Sequence, residues 1–207
     1  MKQFWKTKRA LLGFFLALVI AVPVLAAFLN VIPDGSLGTI NNAVFYQYVI
    51  DGSGGTGVLD SFLRLQAVGS QSGYNTDGTL EFDSKSGSFT HSLKLSQVPQ
   101  AEINGIAYRA FILDINQTSP NPEIDLTELQ LFTAATGNLS GYSTVPSPNI
   151  AGATTLVYNL DSNDDNTVQM EMKDSGSGKT DYVVYIPNSA FAAGPECDFG
   201  QPNAGCP

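Results

Sequence analysis

The stretch "YRAFILDINQTSPNPEIDLTELQLF", Tyr108 to Phe132, holds two apolar runs separated by a Pro/Asn-rich turn. The first run is apolar at Phe111, Ile112 and Leu113 in succession, so both its faces are apolar. A segment that short and that apolar fits a strand in the middle of a sheet, covered on both sides. The turn between the runs carries Pro120 and Pro122, which stop a strand and cannot continue a helix. Working outward, the same texture recurs. "AVFYQYVI" is followed by the glycine turn "DGSGGTG", and "ATTLVYNL", "TVQMEM" and "DYVVYIP" complete the apolar runs. "TLEFDSKSGSFTHSLKLSQV" reads as a hairpin about Ser84–Gly87. Its second arm puts Phe89, His91, Leu93 and Leu95 on one face and Thr90, Ser92, Lys94 and Ser96 on the other. "SAFAAG" suits a short helical turn.

Short strands at regular spacing with Gly, Asn and Pro turns predict an all-β fold, an antiparallel β-sandwich of jelly-roll kind. The chain has 207 residues, 43% hydrophobic and only 14% charged, enough for one well-buried domain. The expected division is 1–29 as leader, 36–192 as the sandwich, and 193–207 as a Gly/Pro-rich tail.

The leader combines Lys2, Lys6, Lys8 and Arg9 with the uncharged run Ala10–Leu29. Pro23 and the small-residue site Val24-Leu25-Ala26 point to a signal peptide cleaved before Ala27. An uncleaved membrane anchor is the alternative, since about 20 apolar residues span a bilayer. Either way the expected location is extracellular or at the cell surface, with the membrane touched only through this segment. A pilin-type leader cut after Gly13 fits less well, because no Glu stands five residues on. Loss of four cations and no acid takes the formal charge from −9 to −13. That surface repels phosphate backbones and excludes nucleic acid as a partner, while it attracts cations.

Cys197 and Cys206 lie close together in the tail, and in an exported protein such a pair is expected to form a local disulfide. No His stands near them to build a zinc site. The single histidine, His91, lies between Phe89 and Leu93, the setting of a hydrogen-bonded structural residue rather than a catalytic one. "GSGKT", 176–180, is not a phosphate loop: Lys173 stands where the pattern needs glycine, and a strand rather than a helix follows. Asp174 to Asp181 reads as a flexible hairpin loop. In the opening stretch, Asp114, Asp125 and Glu128 are either a carboxylate pair, part of a cation site, or ordinary anchors of strand-end loops.

The sharpest chemical signal is "DSNDDN", 161–166. Asp161, Asn163 and Asp165 have the alternating spacing of oxygen ligands at the start of a calcium loop, and Asn166 takes the place of the usual glycine. The twelfth position is Met172, and strands flank the loop, so it is not an EF-hand. The competing reading is a plain polar hairpin turn.

Several segments in order carry a resemblance: "GTGVLDSFLRLQ" at 55–66, "GYNTDG" at 73–78, "FILDINQ" at 111–117 with "LTELQLF", then "LVYNLD" and "YIPNSAF". Together they resemble secreted bacterial proteins of the PEP-CTERM, exosortase-sorted type. The resemblance implies a surface or biofilm-matrix component and no catalytic residues. The chain departs from that type in lacking a Pro-Glu-Pro motif, a C-terminal apolar helix and a basic tail. The expectation is thus a non-enzymatic, structural or adhesive protein of the extracellular matrix, self-associating into filaments or contacting extracellular polysaccharide. The alternative is a calcium-dependent carbohydrate-binding module, for which Tyr46, Tyr48, Tyr74, Tyr142 and Tyr158 are available.

Overall fold

The computed structural model describes residues 26–48, 60–117, 120–144, 149–151, 155–173 and 180–193. Most of the leader, the glycine turn at 51–57, most of the 174–181 loop and both cysteines lie outside the described residues. The fold is all-β: among the described residues, helical structure is confined to the short 3-10 turns Leu95–Gln97 and Asn188–Ala193. No helix among them is long and apolar enough to cross a membrane.

The largest sheet has five antiparallel strands. They are β2 (Leu37–Ile40), β3 (Ala43–Gln47), β12 (Tyr182–Pro187), β5 (Ile106–Leu113) and β4 (Gln100–Ile103), in that spatial order. β12 is central, pairing Val184 with Phe45 on one side and with Phe111 on the other. β5 is hydrogen-bonded on both sides, as its doubly apolar sequence predicts. Two tight turns set the register of the outer hairpins. Asn41 and Asn42 between β2 and β3 have φ of 49° and 68°, and Asn104 and Gly105 between β4 and β5 have φ of 53° and 78°. Two consecutive left-handed residues are what a two-residue hairpin needs, and Asn and Gly adopt that conformation at least cost.

A second sheet has three strands, β1 (Phe28–Asn30), β11 (Thr167–Glu171) and β6 (Glu123–Leu126). β1 runs parallel to β11, and β6 antiparallel to it. Two further antiparallel pairs join β7 (Gln130–Thr133) to β10 (Thr155–Asn159), and β8 (Ser140–Ser143) to β9 (Asn149–Ala151). Ala27 to Leu29, assigned by sequence to the leader, take part in the fold: Leu29 pairs with Val168, and Thr167 N–H donates to Ala27 O at 3.0 Å.

One apolar cluster joins the five-stranded sheet, the three-stranded sheet and the β7–β10 pair. Phe45, Tyr182, Val184 and Ile186 come from the five-stranded sheet, Val168 and Met170 from β11, and Tyr158 from β10. Phe45, Tyr182, Val168 and Ile186 are wholly out of water. Period-two alternation along β11 and β12 aims these side chains inward, and removing their area from water is the main stabilising term.

The hairpin expected about Ser84–Gly87 does not form. Residues 60–94 contain only an isolated bridge between Leu65 and Ser84. The reason is competition for backbone groups from side chains of other segments. Thr90 Oγ1 accepts from Arg64 N, Asp83 Oδ2 from Ser72 N, Ser84 Oγ from Tyr74 N, and Asn75 Nδ2 donates to His91 O. Ser, Thr, Asp and Asn side chains here take the bonds that a ladder would need. His91 therefore lies on no strand; its Nδ1 sits 2.7 Å from Ser92 O. Nearby, the buried Arg109 guanidinium donates to Leu95 O, Val98 O and Asn188 Oδ1 at 2.8–2.9 Å, tying both 3-10 turns to β5.

Candidate functional site

The loop between β10 and β11 is a tight polar turn. Asp161 Oδ1 accepts from Asn166 N at 2.7 Å, and Asn159 Oδ1 accepts from Asp161 N at 3.1 Å. Asn166 is buried, its amide donating to Leu160 O at 2.7 Å and its Oδ1 accepting from Ala27 N at 2.7 Å. Asn163 donates to Asn41 Oδ1 at 3.3 Å, so the turn is stitched to the β2–β3 hairpin. Asn41 Nδ2 strengthens that stitch through Asn159 O and Leu160 O. A cavity of 270 Å³ lies beside Asn41, Asn42, Tyr158 and Ser189, and the Asn41 amide in its wall is already engaged in this stitch.

The opening stretch delivers one acid to this turn. Partial burial, and then the Asp161 carboxylate beside it, push the Glu128 carboxyl above the ordinary carboxylate range; Asp165 adds to the effect. Glu128 thus faces both Asp161 and Asp165. Even so, among the described residues no three His, Cys, Asp or Glu side chains converge as a group able to hold a metal ion. The other two acids go elsewhere. Asp114 accepts from Asn116 at 3.1 Å, and Asp125 is exposed on β6 opposite Gln169.

Asp181 departs from the expected flexible loop. It is wholly buried, with Oδ2 accepting from Ile115 N at 2.7 Å and Oδ1 from Lys173 N at 2.8 Å. Ile115 follows β5 and Lys173 follows β11, so one carboxylate ties the two larger sheets together.

The tyrosines separate into different roles. Tyr158 is buried, its hydroxyl donating to Ile40 O at 3.2 Å. Tyr46 and Tyr48 stack on each other with centroids 5.7 Å apart. Tyr74 and Tyr142 meet, and Phe82 joins them. The three ring centroids form a nearly equilateral triangle with sides of 6.3–6.4 Å. Phe82 is 62% exposed and has a φ of 57°. A bulky side chain in the left-handed region is uncommon and costs about 1–2 kcal/mol.

Glu81 anchors this cluster. Its Oε2 accepts from Tyr74 OH, from Gly141 N at 3.0 Å and from Tyr142 N at 3.4 Å. Among the described residues none donates to its Oε1. The Tyr74 hydroxyl bond holds the Glu81 carboxyl below its usual range, while burial and that same bond push the Tyr74 phenol up to about 12. Tyr142 OH donates to Gln130 Oε1 at 2.9 Å.

The loop beneath is equally well held. Buried Thr76 Oγ1 lies 2.6 Å from Leu139 O, and Asp77 takes both the N–H and the hydroxyl of Ser92, at 2.8 and 2.6 Å. Gly78 passes so close that a Cβ there would stand 3.0 Å from the Asn138 carbonyl. Sequence reading named Tyr74 and Tyr142 separately. It missed Phe82, because a short-range pattern does not link positions 74, 82 and 142. The chain matches no protein-family model, no curated protein and no solved structure.

Proposed function

We propose that this chain is a non-enzymatic protein of the cell exterior, secreted or held at the cell surface, with a structural and adhesive role in the matrix. The observation that carries this reading is the aromatic cluster in which exposed Phe82 packs on half-buried Tyr74 and Tyr142, held in place by Glu81. An exposed apolar ring fixed by a hydrogen-bonded carboxylate is suited to contact rather than to enclosing a reacting molecule. The basic and apolar leader supports export. The acidic charge supports solubility outside the cell and excludes polyanions as partners.

The finer parts of the reading belong to the same proposal. The five- and three-stranded sheets face each other as a jelly-roll-like sandwich, supported by the apolar cluster they share. The chain self-associates through the outer edge of β2, whose sequence Leu37–Ile40 carries no charge and whose Leu37 is 64% exposed. Cys197 and Cys206 close the tail. Calcium is held by Asp161, Asn163 and Asp165, with Glu128 as an added oxygen donor. The PEP-CTERM resemblance rests on its quoted segments and points to the same matrix role.

Imaging of the tagged full-length protein on intact cells tests the reading. A protease-accessible surface or matrix signal is expected. A signal confined to the cytosol refutes it.

A further inference from the structure

We infer that Tyr74, Phe82 and Tyr142 with Glu81 form a contact site for a neutral polysaccharide, and that this site works without a metal ion. The inference rests on the adhesive reading and names what is adhered to.

The chemistry of the site selects the ligand. Three rings pack at 6.3–6.4 Å spacing, Phe82 edge to face on half-buried Tyr74 and Tyr142, and Phe82 keeps most of its area in water as the apolar contact surface. The face of an aromatic ring is electron-rich, so it attracts the weakly positive C–H bonds of an apolar ligand face. Beside the rings lies a carboxylate with one oxygen fully engaged and Oε1 turned to no described donor. Glu81 therefore offers a charged acceptor to an incoming hydroxyl, and a charge-assisted bond is stronger than a neutral one. A molecule with a C–H face and hydroxyl donors around its rim is a pyranose. Glu81 and the acidic charge, −9 with the leader and −13 without its four cations, repel anionic sugars, which leaves the neutral ones.

The site is also preorganised. Thr76 and Gly78 hold the loop that carries Tyr74 against Asn138 and Leu139, just before the strand that carries Tyr142, while Asp77 ties the same loop to Ser92. Rings that need no ordering lose little entropy on binding. Phe82 keeps its ring outward at the expense of a left-handed backbone. A residue placed there for packing alone would be better replaced by Asn or Gly. Among the described residues none of these groups bonds directly to the Asp161–Asn166 turn; Tyr142 OH reaches it only through Gln130 and Glu128, so a calcium ion in that turn would not itself touch the sugar.

Affinity electrophoresis of the full-length exported protein tests this, in gels containing hydroxyethyl cellulose, soluble starch or galactomannan, each with and without EDTA. Alginate and polylysine serve as charged comparisons. The expected result is retardation by at least one neutral polysaccharide, unchanged by EDTA. Phe82→Asn, which suits the backbone but lacks the ring, should weaken it about tenfold at an unaltered melting temperature. Phe82→Tyr should retain it. No retardation by any neutral polysaccharide overturns the inference, as do binding lost in EDTA, binding to polylysine alone, and full retention in Phe82→Asn. A surface signal in intact cells with no retardation removes the sugar and leaves the adhesive reading standing. A cytosolic protein removes both.

Discussion

Replacing Asp181 by alanine is expected to remove about 3–6 kcal/mol of folding stability, because two buried charge-assisted hydrogen bonds of about 1.5–3 kcal/mol each are lost. The carboxylate is wholly buried and accepts from Ile115 N at 2.7 Å and from Lys173 N at 2.8 Å. Deleting it leaves both backbone donors without that acceptor in the place where β5 meets β11. Domains of this size are stable by about 5–15 kcal/mol in all, so the variant stands near the limit of folding. Asp181→Asn separates shape from chemistry. Its oxygen still accepts one N–H, while its NH2 faces the other, so about half of the alanine effect or more is expected. Urea unfolding followed by far-UV circular dichroism reads both variants, with the slope checking that unfolding stays two-state. A loss under about 1 kcal/mol for Asp181→Ala at an unchanged slope would refute the idea that this carboxylate joins the sheets.

The Glu128 carboxyl is raised by partial burial and by Asp161, so it favours the native state below the unfolded carboxylate value and loses that contribution as pH rises through the folded value. Glu128→Gln should therefore raise the melting temperature at pH 7, with the gain fading below about pH 4; a gain that persists in acid contradicts the assignment. Millimolar calcium should raise the melting temperature, Asp161→Ala with Asp165→Ala should abolish the rise, and Glu128→Gln should reduce it; flat calorimetry with wild type leaves only the polar turn. At Phe82 the usual order of Gly and Ala should invert. Phe82→Gly should be more stable than Phe82→Ala by about 0.5–1 kcal/mol, because relief of the left-handed backbone outweighs the added freedom of the unfolded chain. Mass spectrometry of the exported protein should find Ala27 at the N-terminus, and an intact Met1 would favour the anchor.

What local pattern determines was legible. The apolar runs at β3, β5, β10, β11 and β12 are strands because period-two or doubly apolar segments bounded by turn residues bury well only in a sheet. The 3-10 turn at Asn188–Ala193 and the tight turn at 161–166 are readable in their local residues, and the Asn104-Gly105 pair carries the local signal of the β4–β5 hairpin. The order β2-β3-β12-β5-β4 was not legible, since alternation says which face is apolar and never which strand is the partner. Nor was the failure of the hairpin at 79–98, where Asp77, Asp83, Ser84 and Thr90 bond backbone groups from segments up to 26 residues away. The candidate site divides in the same way. Glu81 and Phe82 are neighbours in sequence, but Tyr142 lies 60 positions or more from both and reaches them only through the fold. Glu128 likewise meets Asp161, and Asp181 joins Ile115 to Lys173, only because packing the sheets brings distant loops to one place. Short-range chemistry chose the strands and turns; long-range packing, driven by the apolar cluster, chose which polar groups would meet.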